Sequence, residues 1–524
     1  MGLTARIFDA FQNSHIIYVS FSKVSPAVIL NATNLVVIAI CSYVFYQAFL
    51  SPLARFPGPV LAKFTGLWRS YHYWRGTWHD DILKLHNTYG RAVRIAPNEL
   101  SLVDAEAIKQ LYSHGHHAKK TKWYSVWDVR NAGANVFSTQ DNKEHAFLRK
   151  RLSGAYSMTS ILKFEQYIQS CLDLFMIQMQ KHVGLGKPVN MSEWTNMLAF
   201  DVVGELAYGS PLGQLESGTD TLNIRSSIYQ YFQWGSNLGH FPGQISLLQN
   251  PFASSIRRFL GLADGPVHFQ RWSSEQVRKR QEGKNISERK DMLYHFINMK
   301  GPDGAPASHG EILMETLNIV GAGADTTSIG MRSTLHYICL NPERYARLQE
   351  EIDTYYKDNT LTSPITYTDT LKLPYLCAVV KEATRLLPSI VYQLLRHVPE
   401  QGLMIDGKSI PPGTPVGVSP IAQNRDQAIW GADADIFRPE RWLEDEQMAR
   451  RYEVANMTFG GNGPRMCIGR NIALVEIHKF IAQLLRNFDV ELVNLEVPWR
   501  ITSVWFAFQH DMNVILKPRT IPCG

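Results

Sequence analysis

Cys467 ends the run Phe459-Gly460-Gly461-Asn462-Gly463-Pro464-Arg465-Met466-Cys467 and is followed by Ile468-Gly469. A thiolate that ligates a metal must be ionised, shielded from water and approached by backbone N–H donors. Glycines permit that approach because they carry no Cβ. Beyond the loop, Ile468, Ile472, Ala473, Ile477, Phe480, Ile481, Leu484, Leu485 and Phe488 recur at spacings of three and four, which predicts an amphipathic helix. Cys467 then stands at a helix N-terminus, where the macrodipole favours an anion. Taken alone, the same residues also describe a packing cysteine after a glycine-rich turn.

A second group is Ala322-Gly323-Ala324-Asp325-Thr326-Thr327, inside a helical pattern over about 310–340. Gly321 and Gly323 are costly in a helix interior and leave space against the backbone. Asp325 and Thr326 offer an acid and a hydroxyl beside that space. Glu382 and Arg385 lie three apart, on one side of a helix, and Phe437-Arg438-Pro439-Glu440-Arg441-Trp442 follows later. His145 and Arg149 lie four apart, and Arg396 sits in Leu395-Arg396-His397. His114-x-His116-His117 has the look of a metal cluster but no acid or cysteine nearby, and with Lys119, Lys120 and Lys122 it reads as a solvated loop.

The elements that must hold these residues are mostly helical. Helical periodicity marks about 160–182, 190–208, 223–234, 268–282, 286–299, 310–340, 342–357, 376–387 and 468–488. Short strand signals fall at 91–95, 99–103, 391–398, 402–405, 414–418 and 505–516. With 524 residues, 45% of them hydrophobic, and no linker or repeat, the chain can bury one large core. Its net charge of +6 gives no reason to expect nucleic acid as a partner. The six cysteines form no CxxC pair, so neither a disulfide framework nor a zinc site is indicated.

Residues 27–50 are apolar and long enough to cross a bilayer as a helix. No small-residue cleavage site follows, which disfavours a signal peptide. Pro52, Pro57 and Pro59 end the helix in a stiff hinge. Arg55, Lys63, Arg69 and Arg75 follow the span and only Arg6 and Lys23 precede it, so the body is expected in the cytosol. Residues 1–50 thus read as an anchor segment and 51–524 as the catalytic domain.

These motifs, in this order, resemble the cytochrome P450 family over essentially everything after Pro52. The hinge and the Trp499–Trp505 tail are most similar to fungal members of the pisatin demethylase-like and benzoate para-hydroxylase-like kind. The resemblance implies a mainly α fold with a small β region and haem b held between the Thr326 helix and the Cys467 helix. It implies that Cys467 is the axial iron ligand and that Arg465, His145, Arg149 and Arg396 contact the haem propionates. Thr326 and Asp325 would deliver protons for O₂ cleavage, and Glu382, Arg385 and Arg441 would form a structural triad. The family's phenylalanine stands seven residues before the cysteine, whereas Gly460 holds that place here and Phe459 is one further back.

The implied activity is hydroxylation, epoxidation or demethylation of a bulky hydrophobic small molecule, in secondary-metabolite biosynthesis. Alternatives are detoxifying oxidation of aromatic or plant-derived compounds, and an O₂-independent haem-thiolate isomerase or dehydratase. The implied partners are membrane lipid and an NADPH-cytochrome P450 reductase at the endoplasmic reticulum, docked by Lys143, Lys150, Arg151, Arg470 and Lys479. Pocket walls are expected from Trp123, Tyr124, Trp127 and Val136; from Tyr229, Phe232 and Trp234; from 389–394; and from 504–508.

Overall fold

The computed structural model describes residues 26–116, 118–128, 135–241, 265–283, 289–358 and 364–519. The chain forms two compact units, Met1–Ala54 and Arg55–Gly524. In the first, helix α1 (Pro26–Phe45) passes into one wider turn at Tyr46–Leu50. Leu30–Leu50 is a 21-residue span, about 30 Å of helix. It stops at Ser51, whose backbone is extended at ψ 137°, as the residue before a proline must be.

The second unit is built on helices α2 (Asn142–Ser153), α3 (Met158–Leu185), α4 (Met191–Tyr208), α5 (Ile224–Leu238), α6 (His309–Cys339), α7 (Pro374–Leu386) and α8 (Arg470–Asn487). α6 starts at a capping box, in which Ser308 and Glu311 satisfy each other's backbone N–H. It then runs through the core against α4, α7 and α8. Gly330 faces α8, where a Cβ would lie 2.6 Å from Ile477 Cδ1. α8 has no side-chain cap, and its C-terminal end passes directly into a strand at Phe488.

The sheets are small. In chain order the strands are β1 (Ala92–Ala96), β2 (Glu99–Leu102), β3 (Val189–Asn190), β4 (Arg396–His397), β5 (Leu403–Ile405), β6 (Lys408–Ile410), β7 (Pro415–Val418), β8 (Phe488–Leu492), β9 (Arg500–Val504), β10 (Phe506–His510) and β11 (Asn513–Pro518). One sheet has the order β1-β2-β7-β4, and β9 and β10 form a hairpin. The mainly α architecture with a small β region is the one the sequence led us to expect.

Three expectations are corrected. The strand expected over 391–398 shrinks to β4, because Val391 N donates to Trp505 O and Leu394 N to Val418 O. The segment changes partner midway and builds no continuous ladder. The strand expected over 505–516 is two strands in different sheets, and Trp505 is a turn residue at φ +80°. The periodic stretch 286–299 narrows to a helix at Met292–Ile297, within the described residues.

Candidate active site

The cysteine loop closes on itself. Cys467 N donates to Phe459 O at 2.9 Å, and Met466 N to Gly463 O at 3.0 Å. Gly460 and Gly461 both have φ +82°, a region costly for residues with a Cβ. These two glycines take up the extra residue while the Phe459 carbonyl still reaches Cys467. Gly463 is required by contact, since a Cβ there would sit 1.8 Å from Tyr112 O. The Phe459 ring is half-buried and lies 5.5 Å from the Arg470 guanidinium carbon. Cys467 as a residue is exposed, yet enough protein surrounds its thiol for burial to raise it, opposed by the N–H groups of Gly469 and Arg470 and the charge of Arg149.

Beside the loop, five basic side chains converge, and among the described residues none of them is ion-paired with an acid. Arg149 Nη1 donates to Met466 O at 2.7 Å. Arg465 donates to Thr139 O at 2.9 Å and Asn142 Oδ1 at 3.0 Å. Arg396 donates to Leu395 O at 2.8 Å and to the Tyr124 hydroxyl at 3.1 Å, while its buried Nε has no partner. His145 is buried, and burial followed by the charges of Arg465, Lys120, Arg149 and Arg396 brings it down to about 3. Arg465 is lowered to about 10 by burial and by Arg396. A cavity of about 160 Å³ opens here, lined by Leu111, Tyr112, His145, Arg396 and Arg465 among others.

The fifth member is Lys120, which the sequence placed in a solvated loop. It is 5% exposed, donates to Phe137 O and lies 4.2 Å from the Tyr124 ring centre. Burial and the charges of Arg396, Arg465 and Arg149 hold it well below an ordinary lysine. The sequence offered no sign that separates Lys120, which is buried, from Lys119 and Lys122, which are exposed. His116 lines the same cavity, and His117 lies outside the described residues.

On α6, Ala322 is exposed in mid-helix and Gly321 faces open space. A gap therefore borders this helix at Gly321 and Ala322. Gly323 instead packs toward Val203 Cγ2, 3.3 Å from where its Cβ would be. Thr326 Oγ1 donates to Ala322 O at 2.7 Å, and Ser389 donates to Thr326 O at 2.7 Å. Asp325 points the other way, toward α4, and Asn196 Nδ2 donates to it at 3.2 Å. Burial raises it to about 7 against the charges of Arg332 and Arg225 and the Asn196 bond.

Glu382, Arg385 and Arg441 meet with their side chains fully buried. Arg385 grips Glu382 at 2.9 and 2.8 Å, and Arg441 Nε reaches it at 2.9 Å. Trp442 Nε1 and Arg438 N also donate to Glu382, each at 3.0 Å. Asn424, which the sequence did not single out, joins this cluster to the cysteine loop. Its backbone carbonyl accepts from Arg385, its Oδ1 accepts from Met457 N at 2.8 Å, and its Nδ2 donates to Thr458 Oγ1 at 3.2 Å. Phe459 is the next residue.

The docking residues need correction. Lys479 is 2% exposed and ion-paired with Glu165 at 2.5 Å. Arg151 is ion-paired with Glu311 at 2.7 Å and buried. Neither is offered to a partner, whereas Lys143 and Lys150 are exposed. Arg69, counted among the basic residues that follow the anchor, is buried against Glu99 at 2.6 Å.

The four expected wall segments do converge. Trp123 stacks on Trp505 at 4.4 Å, Trp127 meets Phe232 at 4.7 Å, Phe232 meets Phe506 at 4.3 Å, and Tyr229 meets Phe508 at 5.0 Å. Trp234 is the exception and packs on Trp74 at 4.9 Å.

Residues 56–517 match the family described as Cytochrome P450. The chain is 33% identical to cytochrome P450 monooxygenase cicH of Emericella nidulans, over 89% of this chain and 94% of that one. It is 32% identical to cytochrome P450 monooxygenase gsfF of Penicillium aethiopicum, over 91% and 96%. It is 30% identical to pisatin demethylase of Fusarium vanettenii, over 95% of each chain.

Proposed function

The chain belongs to the cytochrome P450 family and is a haem b monooxygenase, and from that premise we propose that Cys467 is the thiolate ligand in an enzyme that oxidises a bulky hydrophobic small molecule of fungal secondary metabolism. The observation that carries this reading is the cation cluster beside the cysteine loop. Lys120, His145, Arg149, Arg396 and Arg465 have no carboxylate in ion-pair reach among the described residues, and Arg396 Nε is a buried donor without an acceptor. Buried charge without a partner is costly, and these residues would hold the two propionates of haem b, whose anions would offset that cost. The donor set fits the group.

When bound, the haem supplies O₂ activation at a thiolate-ligated iron. The chain's own groups then have separate tasks. Arg149 holds the Met466 carbonyl, so it fixes the loop and opposes the burial cost of the Cys467 anion. Thr326 places a hydroxyl at the open face of α6, and Asp325 supplies a carboxyl that titrates near neutrality on its far side. The aromatic wall excludes water and favours apolar, ring-bearing substrates. Glu382, Arg385 and Arg441, acting through Asn424, brace the loop and touch no reacting atom. Electrons come from an NADPH reductase docked near Lys143 and Lys150. The anchor is a single pass in the endoplasmic reticulum membrane, with the catalytic body in the cytosol.

The similarity to a pisatin demethylase of Fusarium favours one finer reading, demethylation. Carbon monoxide difference spectra test the ligand: Cys467→Ala, loaded with haem, loses the thiolate band. Retention of that band means another residue is the ligand. Thr326→Ala, purified and reconstituted with an NADPH reductase, keeps haem content but yields less oxidised metabolite and more peroxide. Unchanged metabolite would remove Thr326 from the reaction.

A further inference from the structure

Asn196, on α4, joins three side chains of α6. Its Oδ1 accepts from Arg332 Nη1 at 2.9 Å and from the Ser328 hydroxyl, and its Nδ2 donates to Asp325 Oδ1 at 3.2 Å. The amide has only one workable orientation. Turned over, its NH₂ would face the N–H of Arg332 and its oxygen would face a carboxylate. Arg332 is 1% exposed. Its other donors go to neutral acceptors: Gln509 Oε1 at 2.6 Å, Ser192 O at 3.0 Å and Thr195 Oγ1 at 2.9 Å. A buried cation and a buried acid, Asp325 at 2% exposure, are therefore linked through one neutral amide.

We propose that Asn196 is the positioning residue that turns the Asp325 carboxyl toward α4 and sets how readily it releases a proton, with Arg332 as the charge behind the amide. This rests on the reading that Asp325 serves proton delivery beside Thr326. The anion left after release is stabilised by the Asn196 N–H and by Arg332, so release does not strand an uncompensated charge. The other charged groups facing Asp325 are Arg225, which favours the anion, and Asp220, which opposes it. Arg225 is itself ion-paired with the half-exposed Glu193, so the surface lies just beyond. Asp325 thus recovers its proton from the solvent side of α4, away from the open face of α6.

The test is an infrared titration of the substrate-free holoprotein, with the Asp325 carboxyl band identified by its loss in Asp325→Asn. The wild-type band titrates near 7. Asn196→Asp keeps acceptors for Ser328 and Arg332 but puts a like charge against Asp325. The midpoint then rises by at least one unit, roughly tenfold in proton affinity. Ser328→Ala, which leaves the Arg332–Asn196–Asp325 link intact, stays within a few tenths of wild type. A midpoint unmoved by Asn196→Asp overturns the proposal. If Asn196→Asp alone does not fold, the exchange of Asn196→Asp with Asp325→Asn restores one donor facing one acceptor and recovers haem content. An exchange that recovers nothing overturns the proposal as well. The carboxyl band needs no turnover, so failure of the Thr326 reading would not be mistaken for failure of this one.

Discussion

Glu382 accepts from both Arg385 and Arg441, and the Asp433 carboxylate takes up Arg441 as well, at 3.2 Å. In the other cluster, Lys120, His145, Arg149, Arg396 and Arg465 face one another, and their acceptors among the described residues are neutral: backbone carbonyls, the Tyr124 hydroxyl and the Asn142 amide oxygen. Burial alone would raise Glu382, but the Arg385 bond and the charges of Arg385 and Arg441 hold it below the usual carboxylate range. Burial and like charge together push Lys120 and His145 down. The first cluster is neutralised by the protein itself. On the function proposed above, the cofactor's anions would complete the second. Basic side chains withdrawn from solvent would therefore serve the fold in one place and binding in the other.

The contrast can be broken most forcefully at Glu382. Glu382→Gln leaves two buried arginines short of a counter-charge, and about 3–5 kcal/mol of stability should be lost. Thermal melts of the haem-free chain measure it. A loss below about 1 kcal/mol would mean that the backbone acceptors of Arg385 and Arg441 suffice.

Lys120→Met should behave in the opposite way. The haem-free chain keeps or gains melting temperature because repulsion is relieved, while haem retention falls roughly 10- to 100-fold, as expected for losing a charged hydrogen bond of about 1.5–3 kcal/mol. Transfer of haem to apomyoglobin reads the retention, and Arg385→Met serves as the comparison. If both lysine and arginine variants destabilise the haem-free chain alike, the two clusters are not different in kind.

The smallest effect is a slope with pH. His145 binds its proton at about 3 when folded and at 6.5 when unfolded. The unfolded state therefore holds more protons across that window, and the haem-free chain loses stability as pH falls from 6.5 toward 3. His145→Phe should flatten the curve over this range, and haem should flatten it in the wild type by favouring the imidazolium. Urea melts at several pH values measure the slope. A variant with the wild-type slope would assign the acid sensitivity to other groups.

Much of the helical frame was legible because its apolar periodicity is strong. α6 was expected at 310–340 and lies at His309–Cys339, and α8 was expected at 468–488 and lies at Arg470–Asn487. α2 was not foreseen. Its buried face is His145, Leu148 and Leu152, with charged residues all around it, so the 3.6-residue signal is diluted by a histidine turned inward toward a cavity. The strand over 391–398 failed for a different reason. Alternation in sequence reports which side is buried, but not which neighbour takes the hydrogen bonds.

The cysteine, its glycines and the acid–hydroxyl pair could be read from the sequence because each depends on covalent spacing: two positive-φ glycines within one loop, two groups adjacent on one helix. Tertiary packing alone decided which charges face each other. It withdrew Lys479 and Arg151 into ion pairs, turned Lys120 inward, tied Asn424 between the triad and the loop, and set Asn196 between Asp325 and Arg332. A charge in a sequence has no fixed energetic sign. Burial and the distance to its partners supply it, and those are properties of the folded chain.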